Sequence, residues 1–232
     1  MSNKKKNFIQ KLKQWLIYAI LIFIGSTSLA VVILGLIPVN TSAFMIRQHI
    51  TDFRNDNGFI SIQQQWMKRD VISPHMFSAA VAAEDQLFYQ HSGFDFNSIF
   101  AALKNNSSGG KLRGASTISQ QVAKNLFLSS SRSLWRKGFE VWFTLLIELL
   151  WTKNRTLLVY VNIAEMGDHL YGVEAASQYY FDIPASRLSP HQAALLAASL
   201  PNPAIFRVDK PNKKLIDKQQ WILRQMRNLN YI

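Results

Sequence analysis

The feature that most constrains this chain of 232 residues is a long uncharged segment near its N-terminus. No acidic or basic residue occurs from Trp15 to Ile46, and the part from Trp15 to Val39 is almost wholly apolar. About 20 apolar residues suffice for a helix to cross a bilayer. We therefore predict a transmembrane anchor over residues 15–39.

The residues before this segment predict its orientation. Residues 1–14 contain five lysines and no acidic residue, which by the positive-inside rule keeps them in the cytoplasm. The chain from about residue 40 onward then lies on the opposite side of the membrane from residues 1–14. Ser28-Leu29-Ala30 vaguely resembles a cleavage site, but the apolar core is too long for a signal peptide and continues past it. We expect an uncleaved anchor rather than a cleaved signal peptide.

The charge of the chain limits the partners it can have. The net charge is +12, of which residues 1–14 supply +5 and the remainder +7. Such an excess suits an anionic partner: nucleic acid, a phosphate-bearing substrate or an acidic membrane surface. Export by an anchor argues against nucleic acid. The chain has no cysteine, which excludes disulfides, thiolate chemistry and Cys-ligated metal sites.

The sequence after the anchor indicates helices and almost no convincing strand. Residues 40–72 are predicted to connect the anchor to a domain over 73–206, with a brief extended piece at 58–62. A basic tail follows at 207–232. Its apolar residues predict an amphipathic helix on the domain or on the membrane surface. They are Leu215, Ile216, Trp221, Ile222, Leu223 and Met226.

One predicted helix carries the first candidate site. Ser73-Pro74 is a good helix start, and Gly93 is placed to end the helix. On such a helix Glu84, Phe88 and His91 share one face. The preceding turns are apolar, so Glu84 is either a buried structural acid or a functional one. Burial raises the pKa of a carboxylate toward the range of a general base.

A second candidate site follows a capping box formed by Thr117 and Gln120. The buried stripe of this helix is predicted to be Ile118, Val122 and Leu126. Thr117, Gln121 and Lys124 lie on a neighbouring stripe, beside a helix N-terminus with free N–H groups. This combination suits a phosphate or a sugar, although a solvated face has the same pattern.

A third cluster opens a long apolar helix that runs to Leu150. Arg136 and Lys137 precede Glu140 by four and three residues, so the three side chains project from one side. An ordinary salt bridge explains this spacing equally well.

Residues 95–104 are predicted to be a short helix. The glycine-rich stretch 105–114 is predicted to be an exposed loop or a mobile flap beside the site.

These segments together resemble the peptidoglycan glycosyltransferase family in its monofunctional, membrane-anchored form. The resemblance runs from about residue 70 to 205, in the family's order and spacing. The matching motifs are Glu84-Asp85-x-x-Phe88-x-x-His91-x-Gly93-x-Asp95; Gly114-x-Ser116-Thr117-Ile118-x-Gln120-Gln121-x-x-Lys124-Asn125; Arg136-Lys137-x-x-Glu140; and Tyr160-x-Asn162 through Gly167, Gly172, Ala175-Ala176 and Tyr180-Phe181.

The resemblance implies a mainly α, lysozyme-like domain with a small mobile lobe, preceded by one transmembrane helix. It implies a polymerase that acts in cell-wall biogenesis and in the control of cell shape, on the periplasmic side of the bacterial inner membrane. Such an enzyme moves the growing glycan from undecaprenyl pyrophosphate to the 4-hydroxyl of lipid II, with inversion, and forms β-1,4 linkages. The implied partners are lipid II, the glycan chain, the membrane and other cell-wall synthases.

The resemblance also assigns roles to residues. Glu84 matches the general base and Glu140 the second acidic residue, on the donor side. Lys124, Arg136 and Lys137 match basic positions that handle pyrophosphate. The other predicted substrate-binding residues are Asp85, Phe88, His91, Ser116, Thr117, Gln121 and Asn125.

No cofactor is required by the sequence. Mg²⁺ or Mn²⁺ could bridge Glu140 and pyrophosphate, but the sequence offers no dedicated cage of ligands and predicts no protein metal site.

Ser108-Gly109-Gly110-Lys111 fits the S-x-x-K pattern of transpeptidases, yet it lies in a glycine-rich loop without a K-T-G partner. We expect no transpeptidase activity.

Two other functions compete with this hypothesis. A lytic glycosidase on the same fold would use Glu84 as an acid, but cleaving a neutral glycosidic bond needs no cluster of cations for a diphosphate. A non-catalytic scaffold that recruits cell-wall enzymes would need neither Glu84 nor Glu140.

Overall fold

The computed structural model describes residues 3–56, 58–100, 116–129 and 133–231. The chain divides into two compact units, Met1–Ile37 and Pro38–Ile232. The first unit is one helix, α1 (Asn3–Leu36). Its part Asn7–Leu36 is, by length and composition, apolar enough to cross a membrane. The predicted apolar helix is therefore confirmed, and it begins well before residue 15.

The second unit is mainly helical, as predicted. Its helices are α2 (Ala43–Arg54), α3 (Pro74–Glu84), α4 (Ile118–Phe127), α5 (Leu134–Leu150), α6 (Lys153–Ile163), α7 (Val173–Phe181), α8 (Pro190–Ser199) and α9 (Lys213–Asn228). Residues 96–100 are helical, within the short helix predicted at 95–104. The rest of that prediction and the flap predicted at 105–114 lie outside the described residues.

A small sheet accompanies the helices. It consists of β1 (Gln63–Gln64), β2 (Glu165–Gly167) and β3 (Leu170–Tyr171), in the order β1-β3-β2. β1 pairs with β3 in parallel, and β2 pairs with β3 as an antiparallel hairpin. Strands of two or three residues are too short to show an alternating pattern, which is why the sequence indicated almost none.

The helix starts follow the local signals. α3 begins at Pro74 after Ser73, but the Ser73 hydroxyl donates to the carbonyl of Leu188 at 2.8 Å instead of capping its own helix. Side-chain capping boxes start two other helices: Thr117 with Gln120 on α4, and Ser189 with Gln192 on α8. The predicted buried stripe of α4 is confirmed, since Ile118, Val122 and Leu126 are all buried.

The core surrounds α3, which packs against α8, α9 and α6. The interior positions of α3 are small and fully buried, so neighbouring helices approach closely. The tail helix α9 buries Leu215, Ile222, Leu223 and Met226 as it packs on α8 and α3. Each such side chain contributes roughly 1.5–3 kcal/mol on burial. The sequence predicted this amphipathic helix on the domain or on the membrane surface, and the structure places it on the domain.

The prediction that α3 continues to Gly93 is wrong. The helix ends at Glu84, and Asp85 leaves the helical region with φ −161° and ψ 77°. Residues 86–92 form turns, one of them closed by the N–H of Phe88 donating to the Asp85 carbonyl at 3.0 Å. Glu84, Phe88 and His91 therefore do not share a helix face. The reason is tertiary, because the Asp85 side chain turns away to bond the start of α4.

Two glycines have positive φ where a side chain would collide. Gly93 has φ +83°, and a Cβ there would lie 2.7 Å from Cγ of Glu148 on α5. Gly172 has φ +81°, and a Cβ there would lie 2.4 Å from the carbonyl oxygen of Asn162. Glycine therefore allows the turn after α3 to pack on α5, and the hairpin to pack on the end of α6.

Candidate active site

Glu84 is the last residue of α3, and its carboxylate is held by neutral groups. The Gln121 amide donates to Glu84 Oε2 at 2.9 Å, and the Tyr160 hydroxyl donates to Gln121 Oε1 at 3.2 Å. The Glu84 side chain is 12% exposed. Among the described residues, none donates a hydrogen bond to its Oε1. Within the described part of the chain, the carboxylate is therefore oriented through Oε2, while Oε1 accepts no hydrogen bond.

Lys218 is the cation nearest to Glu84 among the described residues, and sequence reasoning missed it. Its Nζ lies 3.9 Å from Glu84 Oε1. Burial lowers the pKa of Lys218, and the charge of Glu84 partly offsets that effect. A signal existed in the sequence: Lys218 follows Leu215 by three residues and precedes Ile222 by four. A lysine on the apolar face of an amphipathic helix is a candidate for a buried partner.

The turn after Glu84 is fastened to the start of α4. Asp85 is buried, and its carboxylate lies 2.9 Å from His91 Nε2 and accepts the backbone N–H of Ile118 at 3.0 Å. The Thr117 hydroxyl donates to the carbonyl of Gly93 at 2.7 Å. The N–H groups of Ile118 and Gln120, which were expected to be free at this helix start, are engaged within the protein. That expectation was wrong, and the contacts join the first two motifs into one unit.

Several predicted substrate-binding residues lie in this unit. Phe88 is fully buried, with the Lys153 ammonium 4.7 Å from its ring centroid. Thr117 is buried as well, and Ser116 just before it is exposed. These positions indicate that Phe88 and Thr117 support the turn after Glu84 from inside the domain. Their contact with substrate stays a prediction.

Glu140 is buried on α5 and saturated by cations. Arg136 Nη1 lies 2.6 Å from Glu140 Oε2, and Lys137 Nζ pairs with Oε1. Both spacings are those predicted for one side of a helix. The Nε of Arg136 is buried without a hydrogen-bond partner in the described part of the chain. The cluster therefore holds two cations beside Glu140, and the Nε–H of Arg136 remains able to donate a hydrogen bond.

Lys124 links the two carboxylates electrostatically. Burial lowers its pKa; the charges of Glu140 and Glu84 act in the opposite direction, and Arg136 and Lys137 lower it further. Its Nζ lies 5.5 Å from the ring centroid of Phe44 on α2. Glu84 of the first motif and the three charged residues of the third motif thus act on one partly dehydrated ammonium.

A cavity of about 130 Å³ surrounds this ammonium. It is lined by Phe44, Gln121, Lys124, Asn125, Tyr160, Ala164, Glu165, Leu200, Pro201 and Pro203. Asn125 Oδ1 is buried and unpartnered in the described residues. Glu165 was not singled out from the sequence; burial, followed by the charge of Asp168, raises its pKa. The cavity therefore offers an amide oxygen, an ammonium and an acid to a ligand.

A larger cavity of about 550 Å³ lies elsewhere on the second unit. It is lined by the β2–β3 hairpin, by Tyr179 and Tyr180, and by the segment from Pro203 to Asp209. None of the site residues predicted from the sequence lines it. The smaller cavity is therefore the candidate active site, because it is lined by Lys124, by Asn125 and by Gln121, the hydrogen-bond partner of Glu84.

A divalent cation at Glu140 would face competition. Both oxygens of that carboxylate already pair with Arg136 and Lys137, so a bridging metal would displace one of them. In the described ranges no group of three or more acidic or histidine side chains is arranged to hold a metal.

Comparison with known proteins agrees with these observations. A family model described as "Transglycosylase" matches residues 54–227. A relative from Mannheimia succiniciproducens is 45% identical over 99% of this chain and 94% of its own. One from Chromohalobacter salexigens is 46% identical over 97% and 95%, and one from Haemophilus influenzae 50% identical over 83% and 79%. All three are named biosynthetic peptidoglycan transglycosylase. The chain belongs to the transglycosylase family.

Proposed function

We propose that this protein polymerises the glycan chains of peptidoglycan. It transfers the growing glycan from undecaprenyl pyrophosphate to the 4-hydroxyl of lipid II. The observation that carries the proposal is the Glu84 carboxylate, oriented by Gln121 through Oε2 and, in the described part of the chain, accepting no hydrogen bond at Oε1, within electrostatic range of the half-buried Lys124. This pairs a proton acceptor with a cation suited to a leaving diphosphate.

Glu84 acts as the general base. A sugar hydroxyl is a poor nucleophile, so a positioned carboxylate must take its proton as attack begins. The O4 oxygen of lipid II then bonds to C1 of the donor sugar, and the bond from C1 to the pyrophosphate oxygen breaks. The bonding electron pair leaves with the diphosphate. Direct displacement inverts the anomeric centre and converts an α-linked donor into a β-1,4 linkage.

The cations stabilise the leaving group. A diphosphate departs as an anion, so it needs fixed positive charge rather than a proton from an acid. Lys124, Arg136 and Lys137 supply that charge, and the Nε of Arg136 offers a further donor. Glu140 acts as the counterion that keeps Arg136 and Lys137 in place. Asn125 and Gln121 line the same cavity and bind the substrate.

The remaining predicted residues support this site. Asp85 and His91 fix the turn after Glu84, and Thr117 and Phe88 pack it on α4 and α6. Ser116 is exposed just before α4, and Lys218 lies 3.9 Å from Glu84. The helix α1 anchors the protein in the bacterial inner membrane with residues 1–14 in the cytoplasm, so that the domain meets its lipid-linked substrates on the periplasmic side.

The test is synthesis from purified lipid II. Detergent-solubilised full-length protein is mixed with labelled lipid II in the presence of penicillin, and separately with preformed glycan. We expect polymer from lipid II and no breakdown of glycan. Breakdown of glycan without polymer would replace the proposal with a lytic glycosidase. Binding of lipid II with neither reaction would leave a scaffold.

A further inference from the structure

One face of helix α2 contacts both the smaller cavity and the β2–β3 hairpin. Phe44, Gln48 and Asp52 follow one another at intervals of four residues, so they share that face. At the start of the helix the Phe44 ring lies beside the Lys124 ammonium. Near its end Asp52 Oδ2 lies 2.9 Å from Nε2 of His169, which belongs to the turn between β2 and β3. The helix is therefore fastened at two places.

His169 is an unusual residue for the place it occupies. It has φ +54°, a left-handed conformation that costs free energy for a residue other than glycine. Its Nδ1 lies 2.9 Å from Asp168, whose side chain is 89% exposed, while Nε2 meets Asp52, whose side chain is 5% exposed. Removing the partner of a buried carboxylate is costly, so the Asp52 contact is the one that matters for α2.

We propose that the Asp52–His169 pair, named the clamp, holds α2 in the position where Phe44 covers Lys124. Asp52 and His169 are thereby positioning residues for the transfer reaction. The inference rests on the proposed function, since it takes Lys124 as a residue that binds pyrophosphate. A covered ammonium attracts a diphosphate more strongly than a hydrated one, because the local dielectric is lower.

The clamp also gives α2 a dependence on pH. The charged groups that act on His169 are Asp52 from α2 and Asp168 and Glu165 from the hairpin, while Arg47 from α2 acts on Glu165. Burial lowers the pKa of His169, but the bond to Asp52 and the charge of Asp168 outweigh it, so the pKa is raised overall. A raised histidine pKa means that the clamp is strongest below the ordinary histidine value. It weakens as pH rises through the raised value.

The test uses His169→Gly in the full-length enzyme, with Asp168→Asn as the matched control. Glycine tolerates the left-handed conformation, so the variant is expected to fold, and Asp168→Asn removes only the exposed partner of the same ring. Hydrogen exchange is measured across residues 43–54, and polymerisation is measured in parallel. We expect about tenfold faster exchange and about tenfold slower polymerisation with His169→Gly, as for loss of one charged hydrogen bond. We expect near wild-type values for Asp168→Asn below the ordinary histidine pKa, where His169 stays protonated without the charge of Asp168.

A double variant separates positioning from general loss of structure. If the clamp acts through Lys124, His169→Gly causes little further loss of polymerisation in a Lys124→Met background. The protection of α2 in wild type should also decline with rising pH, and this decline should be absent from His169→Gly. Unchanged exchange would overturn the clamp, and faster exchange with full polymerisation would overturn its positioning role. A wild type that makes no polymer would overturn the proposed function, while the exchange result would still test the clamp.

Discussion

Glu84 and Glu140 are the same residue type in opposite surroundings. Glu84 is held by a neutral amide, and the nearest cation in the described part of the chain lies 3.9 Å away. Glu140 is 3% exposed, and each of its oxygens pairs with a cation on its own helix. The difference teaches that a carboxylate's partners decide its role. Proton transfer to Glu140 would disrupt its ion pairs with Arg136 and Lys137, whereas Oε1 of Glu84 accepts no hydrogen bond from the described residues.

The largest effect is expected for Glu84→Gln. The change keeps the size of the side chain and removes its ability to take a proton, so polymerisation should fall at least about a hundredfold. The measurement is the rate of polymer formation from labelled lipid II. Asp217→Asn, an exposed acid on α9, is the matched control and should retain the wild-type rate. Comparable activity in the two variants would remove Glu84 from the role of base.

Glu140→Gln should have a smaller effect. Arg136 and Lys137 lose their counterion but keep their charge, so we expect a loss of about tenfold, on the scale of one charged contact. The loss should appear mainly in KM for lipid II, because the cations become less well placed. A loss in kcat as large as that of Glu84→Gln would contradict the difference between the two residues.

The pH dependence tests the cation between the two carboxylates. Because burial lowers the pKa of Lys124, it should lose its charge at a lower pH than an ordinary lysine. Polymerisation should therefore decline on the alkaline side as Lys124 is deprotonated. Lys124→Arg should move this decline to higher pH, since arginine stays charged. An unchanged alkaline decline in that variant would assign it to another group.

The smallest effect is expected for Lys218→Met. Among the described residues this lysine is the nearest cation to Glu84, at a distance too long for a hydrogen bond. Its removal should slow polymerisation by about twofold to fivefold, the scale of a weak ion pair. Lys214→Met, one turn earlier and exposed, should have no effect. Equal effects of the two substitutions would show that Lys218 acts only through the overall charge.

The sequence predicted local features well. The helix start at Pro74 is marked by the proline itself and the one at Thr117 by a capping box, so both signals are local and survive in the sequence. The spacing of Arg136, Lys137 and Glu140 likewise fixed their ion pairs, because residues three and four apart meet on any helix.

Features set by distant contacts could not be predicted in the same way. α3 ends at Glu84 because Asp85 bonds the N–H of Ile118, 33 residues away in sequence. Lys218 reaches Glu84 only because α9 packs on α3. Helix α2 was treated as part of a connecting segment, since its buried face includes the polar Asp52, which only its contact with His169 explains.

The most direct test of the two roles is the single-turnover rate at saturating lipid II, measured for Glu84→Gln and Glu140→Gln side by side. Saturation compensates for weaker binding but not for a missing base. We predict that Glu140→Gln recovers most of the wild-type rate and that Glu84→Gln stays inactive. If Glu140→Gln stays as inactive as Glu84→Gln at saturation, Glu140 takes part in the chemical step and the distinction is wrong.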